Sequence, residues 1–276
     1  MEISIDEFKV LGDFIYRKTG IRYEEKKIYY LNKRVGARMD ALGMDTVAEY
    51  VRHLRLIDDG SELQQFINLI TVNETYFFRE FAQLQSFAEV CLAETIERKA
   101  AQNDRRLRIW SAGCSSGEEP YTLAIILQEM FDDIQNWNIE IVATDIDRVI
   151  LKRAMDGVYC ERSVKEVPDE YLQKYFTFSA NGTYRLAQNI KDMVRFEHLN
   201  LSDKPALRQH RGYDFIFCRN VLIYFDEDSR KDVVDHFHVA LNRGGFIFLG
   251  SSESASRITT SFKIRRAGEM LVYFKE

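Results

Sequence analysis

The first 70 residues carry apolar positions three and four apart. Phe8, Leu11 and Ile15 follow that spacing, as do Val47, Tyr50, Val51 and Leu54, and then Leu63, Phe66, Ile67 and Ile70. Such a period places each set on one face of a helix. No alternating strand pattern of any length appears there, so residues 1–73 are expected to form a small all-α domain, with 74–92 a linker. From about residue 105 the pattern changes. RLRIWSAG is a short apolar run ending in small residues, and a helical stretch from Glu118 to about Phe131 follows it. NIEIVATDID is a β-branched run ending in acids, then a helix is expected over about 148–155. YDFIFCRN, a helix over 229–241 and GGFIFLGSSES continue the alternation. Strands alternating with helices predict a doubly wound α/β domain with a parallel sheet, here over residues 93–276. FKIRRAGEMLVYFK reads as a hairpin about Ala267–Gly268 that closes the sheet. Between about 157 and 197 the pieces KYFTFS, TYRLA and MVRFEH surround an Asn181–Gly182 turn signal, which predicts a small β-rich insertion.

Bulk properties narrow the class. A net charge of −5 argues against a general nucleic-acid binder, which would be basic overall. The four cysteines, at 91, 114, 160 and 218, form no CxxC pair or Cys/His cluster, so no metal site is expected. Reduced thiols in the cytoplasm are the simplest reading. The chain opens MEISIDEF, with acids where a signal peptide would be basic, and holds no apolar run near the ~20 residues of a membrane span. A soluble cytoplasmic protein without direct membrane insertion is expected, most simply a monomer.

Four motifs carry candidate chemistry. WSAGCSSGEEPY (110–121) follows the first predicted strand and opens a helix. Its small residues let a ligand approach the backbone closely. The glycine spacing fits neither the GxGxxG dinucleotide pattern nor a P-loop. Glu118 and Glu119 would repel a pyrophosphate and suit a cationic ligand end, such as the amino group or sulfonium of S-adenosylmethionine. Acids at a helix start also stabilise it without any ligand. Asp145, at the end of the second strand, is placed to accept from both ribose hydroxyls, or it is a strand-end turn residue. Asp147 fits a cap of the next helix. FCRNVLIYF (217–225) brings Arg219 and Asn220 to a strand end and Tyr224 beyond them, the last either near the reacting atom or in the core. NETYFFRE (73–80) is unusually polar and aromatic for a linker; Asn73, Thr75 and Arg79 fit capping and domain packing as well as a ligand site.

Together, NETYFFRE, WSAGCSSGEEPYTLA, ATDID, LNL (199–201), FCRNVLIYF and GGFIFLGSSES resemble the CheR-type chemotaxis receptor methyltransferases over nearly the whole chain. The resemblance implies a helical domain, a linker and a Rossmann-like methyltransferase domain with a β-subdomain. It implies an S-adenosyl-L-methionine site made by Asn73, Thr75, Arg79, Glu119, Asp145, Asn200, Leu201, Arg219 and Asn220, with Glu119 favoured over Glu118. Arg79 and Tyr224 would lie nearest the transferred methyl as catalytic residues. The product would be a glutamate methyl ester on the cytoplasmic domain of a chemotaxis receptor, plus S-adenosyl-L-homocysteine. A glutamate carboxylate is already ionised at neutral pH, so this chemistry calls for no general base. Lys27, Arg34 and Arg38 repeat at seven and four within a run that also holds Lys26 and Lys33; this is either a solvated face or, as the resemblance suggests, a receptor-docking face. The loop at 179–183 is short for gripping a receptor's C-terminal peptide, which points to tether-independent methylation. Two rivals stand beside this reading. A methyltransferase acting on nucleic acid or a small molecule is the first; its DNA form is disfavoured because the fourth-strand motif reads Arg219-Asn-Val-Leu and lacks the proline pair such enzymes carry. A cofactor-binding signalling adaptor without activity is disfavoured by the intact Arg79, Asp145 and Tyr224.

Overall fold

The computed structural model describes residues 3–276, so Met1 and Glu2 of the expected helical domain lie outside the described residues. Four helices open the chain: α1 (Ile5–Thr19), α2 (Ile28–Leu42), α3 (Val47–Leu56) and α4 (Ser61–Ile70). Ser4 and Glu7 start α1 with a reciprocal capping box, and Gly20 ends it in the left-handed region at φ 72°. The periodic apolar residues meet in one core, with Leu11, Leu31, Val35, Tyr50 and Phe66 fully buried.

After an irregular segment, α5 (Phe81–Ser86) runs through a π-helical stretch (Phe87–Leu92) into α6 (Ala93–Ala101). The expected boundary at 92/93 therefore falls inside one continuous helical run. Phe87 explains this: its ring stands edge-on to Phe215, Phe217 and Phe248 at 5.0, 5.1 and 5.7 Å. The second half of the linker is thus part of the α/β core.

That core alternates β1 (Arg106–Ala112), α7 (Glu118–Met130), β2 (Asn138–Asp145) and α8 (Arg148–Asp156). An excursion follows: β3 (Val158–Cys160), α9 (Glu161–Val164), α10 (Asp169–Tyr175), β4 (Phe176–Phe178), β5 (Thr183–Leu186) and α11 (Gln188–Lys191). The chain returns through β6 (Val194–His198), α12 (Lys204–Leu207), β7 (Tyr213–Cys218), α13 (Glu227–Ala240), β8 (Leu241–Leu249) and α14 (Ala255–Ile258). The hairpin β9 (Lys263–Ala267) and β10 (Met270–Phe274) ends it. The main sheet has the order β6-β2-β1-β7-β8-β10-β9. Its first five strands in that order are parallel, and the hairpin adds an antiparallel edge.

The excursion is narrower than the expected 157–197 insertion. Its sheet is β3-β5-β4 alone, because Val194–His198 pairs in parallel with β2. VRFEH is half-polar because it occupies a sheet edge, so it lacks the continuous apolar run that marks a buried parallel strand. Strand order reverses at β1, from which the chain passes first to β2 and later to β7. In such sheets the ligand crevice lies at that reversal, outside the strand C-termini. Among the described residues no helix is long and apolar enough to cross a membrane.

Candidate active site

A cavity of ≈ 320 Å³ opens at the strand-order reversal. All nine residues expected at the cofactor, and Tyr224 with them, line it: Asn73, Thr75, Arg79, Glu119, Asp145, Asn200, Leu201, Arg219 and Asn220.

The loop between β1 and α7 forms one wall. Gly113 and Cys114 donate their N–H groups to Thr144 O at 2.8 and 2.9 Å, folding the loop over the end of β2. Gly113 has φ +80°, and a Cβ there would stand 2.4 Å from Val221 Cγ2. Only glycine admits both that backbone and that contact. The two glutamates then diverge. Glu118 turns away to accept from Ser116 Oγ at 2.7 Å, while Glu119 faces the cavity and accepts from Ser111 Oγ at 2.6 Å. Burial pushes the Glu119 carboxyl up, opposed by the Arg219 guanidinium 3.5 Å away.

Asp145 lies beside this loop. Its two oxygens accept one backbone N–H each, from Ser115 (2.8 Å) and Asp147 (2.9 Å). Each keeps a lone pair for a further donor. Burial raises its carboxyl to about 6, against the pull of those two N–H groups. Asp147 caps α8 through Val149 and Ile150 N–H. Its second oxygen accepts from Thr71 Oγ1 and Asn73 Nδ2 at 2.9 and 2.8 Å. The Asn73 side-chain amide is thereby committed to joining the two domains, and the Asn73 backbone carbonyl accepts from Ser115 Oγ.

The loop after β7 forms the opposite wall. Arg219 is buried, lies 3.5 Å from both Glu80 and Glu119, and donates to Arg79 O. Asn220 is left-handed at φ 60°. Its backbone N–H donates to Glu253 Oε2 at 2.9 Å, and the same carboxylate accepts from Gly250 N and Ile223 N at 2.8 and 3.1 Å. Glu253 thus holds the loop that carries Tyr224. Two buried polar atoms of this wall, Arg219 Nε and Asn220 Oδ1, have no protein partner. An unpaired donor and acceptor at a cavity wall fit a polar ligand.

Arg79 Nη1 donates to Glu74 O at 3.0 Å, with its guanidinium 5.7 Å from the Tyr76 ring. Burial raises the Tyr224 hydroxyl above its ordinary range. Asn200 is held at both ends, donating to Lys18 O (2.6 Å) and accepting from Ser202 N (2.9 Å). Thr19, Ile21 and Tyr23 of the helical region also line the cavity. Sequence reasoning missed them, and it missed the bracing role of Glu253. A glycine ending a helical pattern announces a cap but does not say what packs on it.

Two of the three cations of the expected docking face are engaged within the protein. Arg38 binds Glu62 bidentately at 2.9 and 2.6 Å, and Tyr50 OH donates to the same buried carboxylate at 2.7 Å. Its guanidinium is engaged as the counter-charge of Glu62. Arg34 donates to Leu69 O and Tyr30 O and lies 3.3 Å over the Tyr30 ring, while Lys27 is exposed. Seven-and-four spacing shows that residues share a helix face; here α4 packs on part of that face.

A cavity at the reversal point, walled by a small-residue loop, a buried strand-end acid and a second acid at a helix start, defines a Rossmann-like methyltransferase domain. Residues 73–270 match "CheR methyltransferase, SAM binding domain" and residues 6–71 match "CheR methyltransferase, all-alpha domain". The chain belongs to the CheR methyltransferase family and is an enzyme that uses S-adenosylmethionine. It is 42% identical over 273 residues to "Chemotaxis protein methyltransferase 2" of Vibrio cholerae, covering 99% of this chain and 94% of that one. It is 33% identical to "Chemotaxis protein methyltransferase" of Borreliella burgdorferi, covering 92% and 90% of the two chains. The protein of the same name from Salmonella typhimurium is also 33% identical, with 96% and 89% covered.

Proposed function

We propose that the enzyme transfers the S-adenosylmethionine methyl to glutamate side chains on the cytoplasmic domain of chemotaxis receptors, acting as a cytoplasmic monomer. The observation that carries this is that a guanidinium and a phenol, Arg79 and Tyr224, line the same cavity as Glu119 and Asp145. When bound, S-adenosylmethionine supplies an electrophilic methyl on a sulfonium. Asp145 accepts from the ribose hydroxyls, and Glu119 with Asn220 Oδ1 faces its cationic end. Thr75, Leu201 and the carbonyl of Asn73 complete the surround. Arg79 and Tyr224 hold the incoming carboxylate in line with the methyl, so positioning and water exclusion do the catalytic work.

Lys27, just before α2, and Lys33 on α2 are exposed and suit acidic receptor helices. The short turn over 179–183, closed by Gly182 N donating to Ser179 O, supports methylation independent of a receptor tether. The test is incubation with labelled S-adenosylmethionine and receptor-containing membranes. Base-labile label on a receptor-sized band is expected. Label on nucleic acid, or on nothing, would overturn the reading.

A further inference from the structure

The turn that ends α1 reaches the candidate site at two places. On the nucleoside side, beside Asp145, Lys18 O accepts from Asn200 Nδ2 (2.6 Å) and Thr19 O accepts from Ser202 Oγ (2.8 Å). On the other side Ile21 pairs antiparallel with Phe225, and Arg22 N–H donates to Tyr224 O at 2.9 Å. Arg22 also lies 3.4 Å from Asp226, the residue that caps α13. Two loops of the α/β domain, one after β6 and one after β7, are therefore held to a single turn of the helical domain.

Gly20 makes the fit possible. Its φ is +72°, and a Cβ there would stand 2.2 Å from Ser202 Oγ and 2.8 Å from Phe225 Cε1. Such distances force the Ser202 hydroxyl and the Phe225 ring, one from each loop, to shift. Gly43 ends α2 in the same left-handed region, at φ +66°, yet a Cβ on it meets nothing within 4 Å. The two positions share a backbone requirement and differ in what they touch.

We propose that Gly20, Ile21 and Arg22 are positioning residues for methyl transfer. The turn sets the separation between the Asn200–Leu201 wall and the Tyr224 wall, so the helical domain is a working part of the catalytic site. This rests on the cofactor site proposed above. Its consequences split by wall: displacing both walls disturbs cofactor binding and turnover together, whereas releasing the Tyr224 wall alone disturbs turnover.

The test compares full-length Gly20→Ala, Gly43→Ala and Arg22→Pro with the parent. Ile21 is extended, as a residue before proline prefers, and the proline removes the N–H that Tyr224 O accepts. Affinity for S-adenosylhomocysteine is measured by calorimetry, and kcat and KM on receptor-containing membranes. Gly20→Ala is expected to weaken S-adenosylhomocysteine binding and lower kcat, each about tenfold, as a displaced site does. Arg22→Pro lowers kcat by a similar factor and leaves that affinity within about twofold of the parent. Gly43→Ala stays within about twofold in every quantity, although it carries the same left-handed strain. A folded Gly20→Ala protein that matches Gly43→Ala overturns the proposal. If Gly20→Ala does not fold, an unchanged kcat in Arg22→Pro overturns it. A parent that fails to bind S-adenosylhomocysteine would instead remove the cofactor site on which it rests.

Discussion

Asp145 gives the site a pH dependence whose sign follows from its burial. Its carboxyl titrates near 6, above the ordinary 3.8. The folded protein without ligand therefore holds this proton more tightly than the unfolded chain. That contribution to stability is complete below about 3.8 and is lost as pH rises through about 6. Ligand binding runs the other way, because only the ionised carboxylate accepts from two hydroxyls. S-adenosylhomocysteine affinity should hold at pH 7–8 and fall about tenfold per unit below 6, as calorimetry across pH would show. Asp145→Ala should lose about 1.5–3 kcal/mol of binding and flatten that profile; an unchanged slope in the variant would assign the titration elsewhere. At the other wall, Tyr224→Phe removes one hydroxyl donor and should lower kcat about tenfold. Arg79→Ala removes a cation and should cost about 100-fold, read in kcat/KM on receptor. These positions were legible because strand ends and small-residue loops mark a crevice. Arg219 was legible as a wall residue, but not as the group that lies between Glu80 and Glu119 and holds Arg79 O, since those contacts join segments far apart in sequence.

Among the elements, α2 shows what periodicity conveys and what it omits. Its buried row is Leu31, Val35 and Met39, spaced by four. Such spacing cannot tell that α4 presents a buried Glu62 to the flank of that row, where Arg38 answers it. Breaking such a pair leaves a carboxylate in the interior, so Arg38→Ala should destabilise the fold by about 3 kcal/mol in denaturant unfolding. Lys27→Glu, on an exposed position, should stay within about 0.5 kcal/mol and serves as the clean probe of docking, raising KM for receptor. If Arg38→Ala proved as neutral as Lys27→Glu, the pair would be a surface contact and the docking role would return to Arg38. The helical run 81–101 carries a related lesson. Leu84, Phe87 and Cys91 keep helical spacing up to the expected 92/93 boundary, and Thr95 and Lys99 continue the buried row beyond it. A domain boundary drawn from motifs alone passed through a helix whose apolar face belongs to the sheet.

At the scale of the whole molecule, the cavity is a seam. Thr19, Ile21 and Tyr23 line it from the helical region, and Glu119, Asp145 and Asn220 line it from the α/β region. At the cavity's edge polar bonds close the seam: Gln64 Nε2 to Ile146 O at 2.9 Å, and Thr71 and Asn73 to Asp147. A ligand held between two bodies stabilises the arrangement of both. At about 100 times its Kd, S-adenosylhomocysteine should add about 2.7 kcal/mol against any opening that separates them. Hydrogen exchange on the full chain reads this segment by segment. Amides over 18–24 and 71–80 should slow with ligand as much as those over 113–119, by up to about 100-fold where exchange needs the seam to open. Amides of α3, remote from the cavity, set the reference: their exchange should change only if the helical domain unfolds together with the rest. Protection confined to 113–119 and 145–147 would mean that the helical domain is merely tethered beside a self-sufficient cofactor site, and the bonds across the seam would then carry structure without function.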